Sequence, residues 1–250
     1  MARMEYAAPQ ADAFAANRHL GPDAVAHWRP AVARHLRPRP GMRLLDLGAG
    51  TGTWARTFAG WYGVDVIAVE PSAEMRARCV HPDPLAGDAA AVPLPAAYVD
   101  GGWMSTVIHH VPDLTAAAVE LRRVLRPGAP LLIRSAFAGR HEQINLFRYF
   151  PEAVRILDSY PSVAGVCSAF GAAGFGFVAL EQVPQVSAAS LAVAAAELRR
   201  AAHTPLQLIT DAEYEAGLDR LRAAARSAGP TDAPVVDRLD LLVLRRSGKP

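Results

Sequence analysis

The sequence has little cysteine, almost no lysine and no long apolar run, and each shortage excludes a class of protein. Its two cysteines, Cys79 and Cys167, lack Cys-x-x-Cys spacing and are too few for a disulfide framework, so a reducing cytoplasm is the expected compartment. Proline and arginine interrupt every candidate before it reaches the roughly 18 apolar residues of a membrane-spanning helix. The first residues lack the apolar segment of a signal peptide. We therefore expect a cytoplasmic protein without a membrane partner.

The charge balance argues against a highly charged partner. Basic residues are almost all arginine, Lys249 is the only lysine, and the formal net charge is +2. This charge is too small to indicate nucleic acid or a membrane surface. Hydrophobic residues make up 51% of the 250-residue chain, which is enough to bury the core of one α/β domain. We expect a single domain, monomeric or homodimeric, that acts on a small molecule.

The stretch from Leu44 to Gly52 has the pattern of a buried strand that runs into a glycine turn. Its continuous apolar start predicts a strand covered on both faces, and the segment after it is amphipathic, as at the start of a helix. Gly48, Gly50 and Gly52 alternate, so a ligand can approach backbone N–H groups that a Cβ would shield. The sequence predicts a small-molecule site at this turn.

The spacing of the turn narrows the choice of ligand. A dinucleotide loop needs Gly-x-Gly-x-x-Gly, but Thr53 stands where the third glycine would be. Glu70 ends the next apolar run, about twenty residues on, where a carboxylate meets the ribose hydroxyls of an adenosine-containing ligand. The pattern therefore favours a ligand that contains a ribose and does not require one that contains a diphosphate. A nicotinamide oxidoreductase on a Rossmann sheet is the competing interpretation.

Five motifs follow one another in order over about residues 40–140. They are Asp46-x-Gly48-x-Gly50-x-Gly52, Glu70-Pro71-Ser72, Gly87-Asp88-Ala89, the strand Val99–Val107 with His109-His110, and Leu125-Arg126-Pro127-Gly128 before Leu131-Leu132-Ile133. Together they resemble the motifs of class I S-adenosylmethionine (SAM)-dependent methyltransferases of the small-molecule type, whereas the oxidoreductase alternative accounts for only the first two. The resemblance implies SAM as cofactor and S-adenosylhomocysteine as product.

The resemblance also implies which residues bind the cofactor. Glu70 would accept hydrogen bonds from the ribose hydroxyls, Asp88 would accept from the adenine amino group, and Asp46 would organise the glycine turn. Arg18 would make a charge-assisted contact with the methionine carboxylate, although a solvated helix face is the alternative for this residue. The implied cofactor-binding residues are Arg18, Asp46, Gly48, Ala49, Gly50, Gly52, Glu70, Pro71, Met75, Gly87, Asp88, Ala89 and Ser105.

His109 and His110 are the candidate catalytic residues. They follow the fourth predicted strand, where open α/β sheets present their active-site crevice. An imidazole can take a proton from the acceptor as the methyl group arrives. The alternative is a strand-to-helix turn in which one ring packs and the other bonds to backbone, and the sequence does not choose between the two histidines. Adjacent histidines are expected to point in different directions, so we predict no metal site.

From Arg43 onward strands and helices alternate, which predicts an α/β fold. We expect a Rossmann-like three-layer sandwich with a seven-stranded, mostly parallel sheet, an antiparallel last strand and helical lid elements. The predicted strands are 43–47, 64–69, a short one ending near Ala86, 101–107, 131–134, 177–183 and 235–245. The predicted parts of the single domain are a helical N-terminal lid (1–40), a SAM-binding core (41–136), a substrate-side segment with strand six (137–186), a helical insertion (187–230) and the final strand and tail (231–250).

These observations lead to one expected function and two alternatives. We expect a SAM-dependent methyltransferase that modifies an oxygen, nitrogen or carbon nucleophile of a small molecule in specialised metabolism. The alternatives are a methyltransferase fold that uses bound SAM for a non-methylating reaction such as cyclisation, and an NAD-dependent oxidoreductase. Four aromatic residues either line the substrate pocket or form core beneath the lid: Phe147, Tyr149, Phe150 and Tyr160.

Overall fold

The computed structural model describes residues 24–228 and 233–248, and its described residues form one six-stranded sheet. Strands β1 to β4 are parallel, whereas β6 runs antiparallel to both β4 and β5. The order across the sheet is β2-β1-β3-β4-β6-β5. The strands are β1 Arg43–Leu47, β2 Asp65–Val69, β3 Gly101–Ser105, β4 Pro130–Ser135, β5 Phe175–Ala188 and β6 Val235–Arg246. The predicted α/β fold and the antiparallel last strand are confirmed.

Ten α-helices are described in residues 24–228. They are α1 Trp28–Leu36, α2 Thr53–Tyr62, α3 Ala73–Arg76, α4 Leu114–Val124, α5 Asn145–Tyr149, α6 Val154–Leu157, α7 Val163–Ala172, α8 Leu191–Glu197, α9 Thr204–Gln207 and α10 Asp211–Ala228. Short 3₁₀ turns lie at Ile108–His110, Pro151–Ala153 and Arg200–Ala202.

Two hydrophobic cores cover the two faces of the sheet. Successive side chains of a strand point to opposite faces, so Leu44 packs with α1 and α2 while Leu45 packs with α4 and α7. The first core is rich in aromatic rings, and Trp103 of β3 lies 5.0 Å from Trp54 and 6.1 Å from Trp28 between ring centroids. These layers form the three-layer sandwich and hold the carboxyl ends of β1 to β4 at one edge.

A third core joins residues 144–160 to the helices that follow β5. Phe147, Tyr149, Phe150 and Tyr160 are buried in it, together with apolar side chains of α9 and α10. None of the four aromatic residues lines the large cavity described below. Of the two predicted alternatives, these four residues therefore form core beneath the helical segment and do not line the pocket.

The expected seventh strand is absent from the described residues, so that prediction is wrong. Where a strand ending near Ala86 was expected, Leu85 makes a single bridge to β2, with its N–H donating to the Ala68 carbonyl and its carbonyl accepting from Glu70 N–H. Pro82 and Pro84 both precede Leu85, and a proline has no backbone N–H to donate to a strand ladder. The chain therefore touches the sheet at one residue without forming a strand.

Two other strands differ in length from the prediction. β3 ends at Ser105 instead of Val107, because Thr106 adopts a left-handed backbone with φ 55° and turns the chain away. β5 extends to Ala188 instead of Val183, although it contains Pro184. Since β5 is the edge strand, a proline there removes no hydrogen bond from a second neighbour.

Some predictions fall outside the described residues. Arg18 lies there, as does most of the expected N-terminal lid, and α1 is the described helix that precedes β1. Cys79 and Cys167 are half-buried, with no disulfide between them. No helix within 24–228 combines the length and apolarity that crossing a bilayer would take. The division into lid, core and insertion stays a prediction.

Candidate active site

The glycine turn follows β1 and is bound to β2 by backbone hydrogen bonds. Gly48 N–H and Ala49 N–H both donate to the Val69 carbonyl, at 2.8 and 3.1 Å. Gly48, Gly50 and Gly52 have φ values of 72°, 56° and 76°, a region that side-chain-bearing residues rarely occupy. The three alternating glycines thus allow a left-handed backbone that other residues would adopt only with strain.

Packing adds a second reason for two of these glycines. A Cβ on Gly48 would lie 2.5 Å from Cγ2 of Val107, and a Cβ on Gly52 would collide with the Cys79 sulfur. Gly48 and Gly50 line the cavity at the carboxyl edge of the sheet, whereas Gly52 and Ala49 do not. The glycine at position 52 is therefore explained by the contact with Cys79 and the turn itself.

Glu70 connects the glycine turn to the start of α3. Its carboxylate accepts from Gly50 N–H at 2.9 Å through one oxygen and from Ser72 N–H at 2.8 Å through the other. The residue is only 6% exposed, yet it lines the cavity. Ser72 in turn caps α3, since its hydroxyl accepts from Met75 N–H. The carboxylate is held rigidly at the tip of β2 by these amides.

Asp46 lies behind the turn and not in the cavity. It is 1% exposed, and its Oδ2 is buried without a hydrogen-bond partner among the described residues. Burial, and then the negative charge of Glu70, raise the pKa of Asp46 to about 7, while the Ala55 N–H acts in the opposite direction. Asp46 is thus placed beneath the turn, next to α2, and does not line the cavity.

The motif Gly87-Asp88-Ala89 contributes part of the cavity wall. Asp88 Oδ1 accepts from Ala90 N–H at 2.9 Å, and Asp88 and Ala91 exchange backbone hydrogen bonds. Asp88 and Ala89 line the cavity, whereas Gly87 packs against Pro93, which a Cβ would approach to 2.5 Å. The turn presents one carboxylate to the cavity.

One cavity of about 590 Å³ brings most of the predicted residues together. Asp46, Ala49, Gly52 and Gly87 surround it without lining it, and Arg18 is outside the described residues. The predicted residues that line it are Gly48, Gly50, Glu70, Pro71, Met75, Asp88, Ala89, Ser105, His109 and His110.

The cavity also has lining residues that were not predicted as site residues. Those within or beside the motifs could have been found from their sequence proximity, and they are Leu47, Ser72, Ala73, Glu74, Ala90, Thr106, Val107, Val111, Pro112 and Asp113. Four more come from the helical segment after β5: Ala201, Ala202, Thr204 and Gln207. An alanine-rich helical stretch carries no signal for which of its residues reach a cavity.

The two histidines lie side by side in the 3₁₀ turn after β3. Their ring centroids are 4.1 Å apart at 48°, so the expectation that they diverge is wrong. The tight turn Ile108–His110 places consecutive side chains close together. The His109 ring also stacks on Tyr160 at 4.1 Å and 4°. Both rings line the cavity, and within residues 24–228 and 233–248 no cluster of three potential metal ligands occurs.

Comparisons with known proteins agree with this geometry. Residues 45–133 match the model of a family described as a methyltransferase domain. The chain is 37% identical over 121 residues to the ubiquinone/menaquinone biosynthesis C-methyltransferase of Caulobacter vibrioides, covering 42% of this chain and 48% of that protein. It is 36% identical over 144 residues to the malonyl-[acyl-carrier protein] O-methyltransferase of Serratia marcescens, covering 54% and 56%. The chain thus spans about half the length of these curated relatives.

A solved structure agrees over a longer range. A protein of Anabaena variabilis, assigned to the methyltransferases of an antibiotic biosynthesis pathway, superposes with a TM-score of 0.65. The match covers 89% of this chain and 99% of that one at 24% identity, so it shows the fold alone. Residues 45–133 thus match a methyltransferase domain, and the Rossmann-like sheet and the glycine turn beside Glu70 and Asp88 agree with the class I SAM-dependent type that the motifs resemble.

Proposed function

We propose that this protein transfers a methyl group from SAM to an oxygen, nitrogen or carbon nucleophile of a small molecule, in specialised metabolism. The observation that supports this most is the continuity of the cavity. It extends from Glu70 and Asp88, past the glycine turn, to the two histidines and on to the helical segment after β5. A ligand held by the first part therefore has a second compartment beside it.

The residues of the first part fit the cofactor. Glu70 lies at the end of β2, and each of its carboxylate oxygens accepts a hydrogen bond from a backbone N–H. Because a carboxylate oxygen can accept more than one hydrogen bond, the oriented group can also accept from the ribose hydroxyls. Asp88 suits an amino group of adenine, and Met75 and Pro71 provide apolar contact for its ring. When bound, the cofactor supplies an electrophilic methyl group on a sulfonium.

The rest of the chain orients the acceptor and removes its proton. Alignment of two reactants in a closed site can contribute several kcal/mol, with ~7–11 kcal/mol as the ceiling from intramolecular models. His109 or His110 would accept the acceptor's proton at a ring nitrogen as the new bond to the methyl carbon forms. The stack on Tyr160 holds the plane of His109, so this ring has a defined orientation toward the cavity.

Calorimetry with S-adenosylhomocysteine and with NAD tests the cofactor assignment. We expect binding of the first and not of the second, and the reverse result would favour the oxidoreductase. Incubation with methyl-labelled SAM and a panel of hydroxyl, amine and carbon nucleophiles then tests transfer. Turnover of an acceptor without label in the product would favour a non-methylating reaction such as cyclisation.

Single substitutions test the role of the histidines. His109→Ala and His110→Ala are compared with His27→Ala, which changes an exposed histidine before α1. We expect one of the cavity variants to lower turnover by about 10²-fold or more without weakening S-adenosylhomocysteine binding. Full activity in both would remove the proton-acceptor role.

A further inference from the structure

The helical segment after β5 contributes a directional polar group to the cavity. Of the four residues of this segment that line it, Ala201 and Ala202 are apolar, and Thr204 and Gln207 are polar. The Thr204 hydroxyl can donate or accept, so it suits either kind of ligand group. Gln207 ends α9, and its amide has an oxygen that only accepts and a nitrogen that only donates. Gln207 is therefore the residue of this segment that can select between ligand groups.

A contact with the backbone determines how the Gln207 amide is oriented. Its Nε2 donates to the Ala201 carbonyl at 2.9 Å. A carbonyl can only accept, so the amide nitrogen must face Ala201, and the flipped amide would bring two oxygens together. The nitrogen is thus engaged within the segment, and Oε1 is the end of the amide that remains for a ligand. The group that Oε1 suits is a hydrogen-bond donor.

Arg200 holds the short segment that carries these lining residues. Its Nε donates to the Leu206 carbonyl at 2.8 Å, and its Nη2 donates to the Ile209 carbonyl. Its Nη1 bonds to the Asp211 carboxylate, and its guanidinium carbon lies 5.0 Å from the Tyr214 ring centroid. One planar group thereby joins α9 to the turn that follows it and to the start of α10. The backbone of α9 is therefore held in place before a ligand binds.

The lining near the histidines and on the helical segment is largely apolar. Val107, Val111 and Pro112 flank the two histidines along the chain, and Ala201 and Ala202 lie on the helical segment. Apolar walls favour an apolar molecule, and the few polar groups among them fix its orientation. An acceptor that lacks the matching group leaves such a polar group unpaired, which costs affinity. This part of the cavity can therefore discriminate between acceptors.

We propose that Gln207 determines acceptor specificity, because its Oε1 accepts a hydrogen bond from a hydroxyl or N–H group that the acceptor carries in addition to its nucleophile. The acceptor class is therefore an apolar molecule with one group that is methylated and a second group that donates to Gln207. Arg200 is a positioning residue that holds α9. The inference rests on the proposed function, because it takes the compartment beside the histidines to hold the methyl acceptor.

Calorimetry on the complex with S-adenosylhomocysteine tests the proposal, because this complex has no methyl group to transfer. The probes are resorcinol and the longer para,para′-biphenol, each compared with its monomethyl ether, which has one donor fewer. We expect the unaltered protein to bind at least one diol on the order of fivefold more tightly than its ether, the value of a neutral hydrogen bond.

Two glutamine variants assign this preference to one residue. Gln207→Met keeps a side chain of similar length without the amide, and it should reduce the diol-to-ether ratio to less than about twofold. Gln182→Met, at an exposed position of β5, is the matched control and should leave the ratio unchanged.

Arg200→Met tests the positioning role. It should lower the diol-to-ether ratio while the affinity for S-adenosylhomocysteine changes less than about twofold, whereas a merely structural loss would weaken diol and ether equally. Arg226→Met, in the exposed last turn of α10, is the control and should change neither. If Arg200→Met does not fold, Arg200→Lys keeps a cation with N–H donors and should give an intermediate ratio. An unchanged ratio in the folded variant would overturn the positioning role.

The outcomes that would overturn the proposed specificity are distinct. Equal diol-to-ether ratios in the unaltered protein and in Gln207→Met would remove Gln207 from recognition. Tighter binding of the ethers would assign the contact to the amide N–H instead of Oε1. Absence of binding for every probe would show that this class of acceptor is wrong. Failure of the unaltered protein to bind S-adenosylhomocysteine would instead refute the proposed function.

Discussion

Replacing Asp46 with asparagine should make the protein more stable as pH rises, relative to the unaltered chain. Asp46 is buried under the glycine turn, and its pKa is raised from 3.8 to about 7 by burial and by the charge of Glu70. A carboxyl group whose pKa is raised on folding keeps its proton in the folded state at pH values where the unfolded chain has already released it. Stability therefore falls as pH rises from about 4 to about 7 and levels off above that.

The size of this effect follows from the two pKa values. Each tenfold change in proton affinity is worth ~1.4 kcal/mol, so the interval from 3.8 to about 7 corresponds to roughly 4 kcal/mol. The asparagine amide nitrogen replaces a buried oxygen that has no partner among the described residues, which costs about 1–3 kcal/mol at every pH. The pH-dependent part separates the two contributions, because the amide does not titrate.

Denaturant unfolding at several pH values measures the difference. We expect the stability of Asp46→Asn minus that of the unaltered protein to rise by roughly 4 kcal/mol between about pH 4 and pH 8. Asp65→Asn, an exposed position at the start of β2, is the matched control and should show no comparable rise. A difference for Asp46→Asn that stays constant with pH would refute the reasoning, since it would mean that the carboxylate ionises without cost.

Three further substitutions test the turn, the helical core and the strained residue at the end of β3. Gly50→Val should abolish S-adenosylhomocysteine binding in calorimetry while circular dichroism stays native, because φ at this position is 56° and the residue lines the cavity; retained affinity would contradict the placement. Gly217→Ala should lower the free energy of unfolding by about 1–3 kcal/mol, because its Cβ would collide with the Phe150 ring. Gly171→Ala in α7 is the control and should not lower the stability of the protein, because its Cβ would meet no atom within 4 Å. Thr106→Gly should raise the free energy of unfolding by about 1 kcal/mol, because glycine adopts φ 55° without strain. A lower melting temperature would contradict this and would mean that the side-chain contacts of Thr106 stabilise the fold more than the strain destabilises it.

Local patterns were sufficient to predict much of the fold and the part of the cavity formed by the glycine turn and Glu70. The apolar run of β1, the three glycines and Glu70 are each encoded within a few residues, and each satisfies a local demand of a strand or a turn. The bounds of β1 agreed with the prediction, and Leu114 and Ser72 marked helix starts that the structure has. Such features depend on backbone conformation and periodicity, which a sequence displays directly.

The number of strands and the length of β5 could not be predicted locally, because they depend on which strands lie next to each other in the sheet. Whether Leu85 joins a ladder depends on donors that Pro82 and Pro84 lack, and whether Pro184 is tolerated depends on β5 lying at the sheet edge. The left-handed Thr106 that ends β3 also has no local signal, because a β-branched residue is a poor candidate for positive φ.

The sequence by itself determined the sheet class, the glycine turn and the carboxylates at the tips of its strands, because these arise from short-range periodicity and backbone preference. Only the tertiary structure decided that His109 stacks on Tyr160, that Gln207 of a distant helix reaches the cavity, and that Arg134 donates a hydrogen bond to Ser105. These pairs are far apart along the chain, and their contact follows from which strands are neighbours and which faces pack. Burial, which raises the pKa of Asp46, likewise exists only once those layers have closed over it.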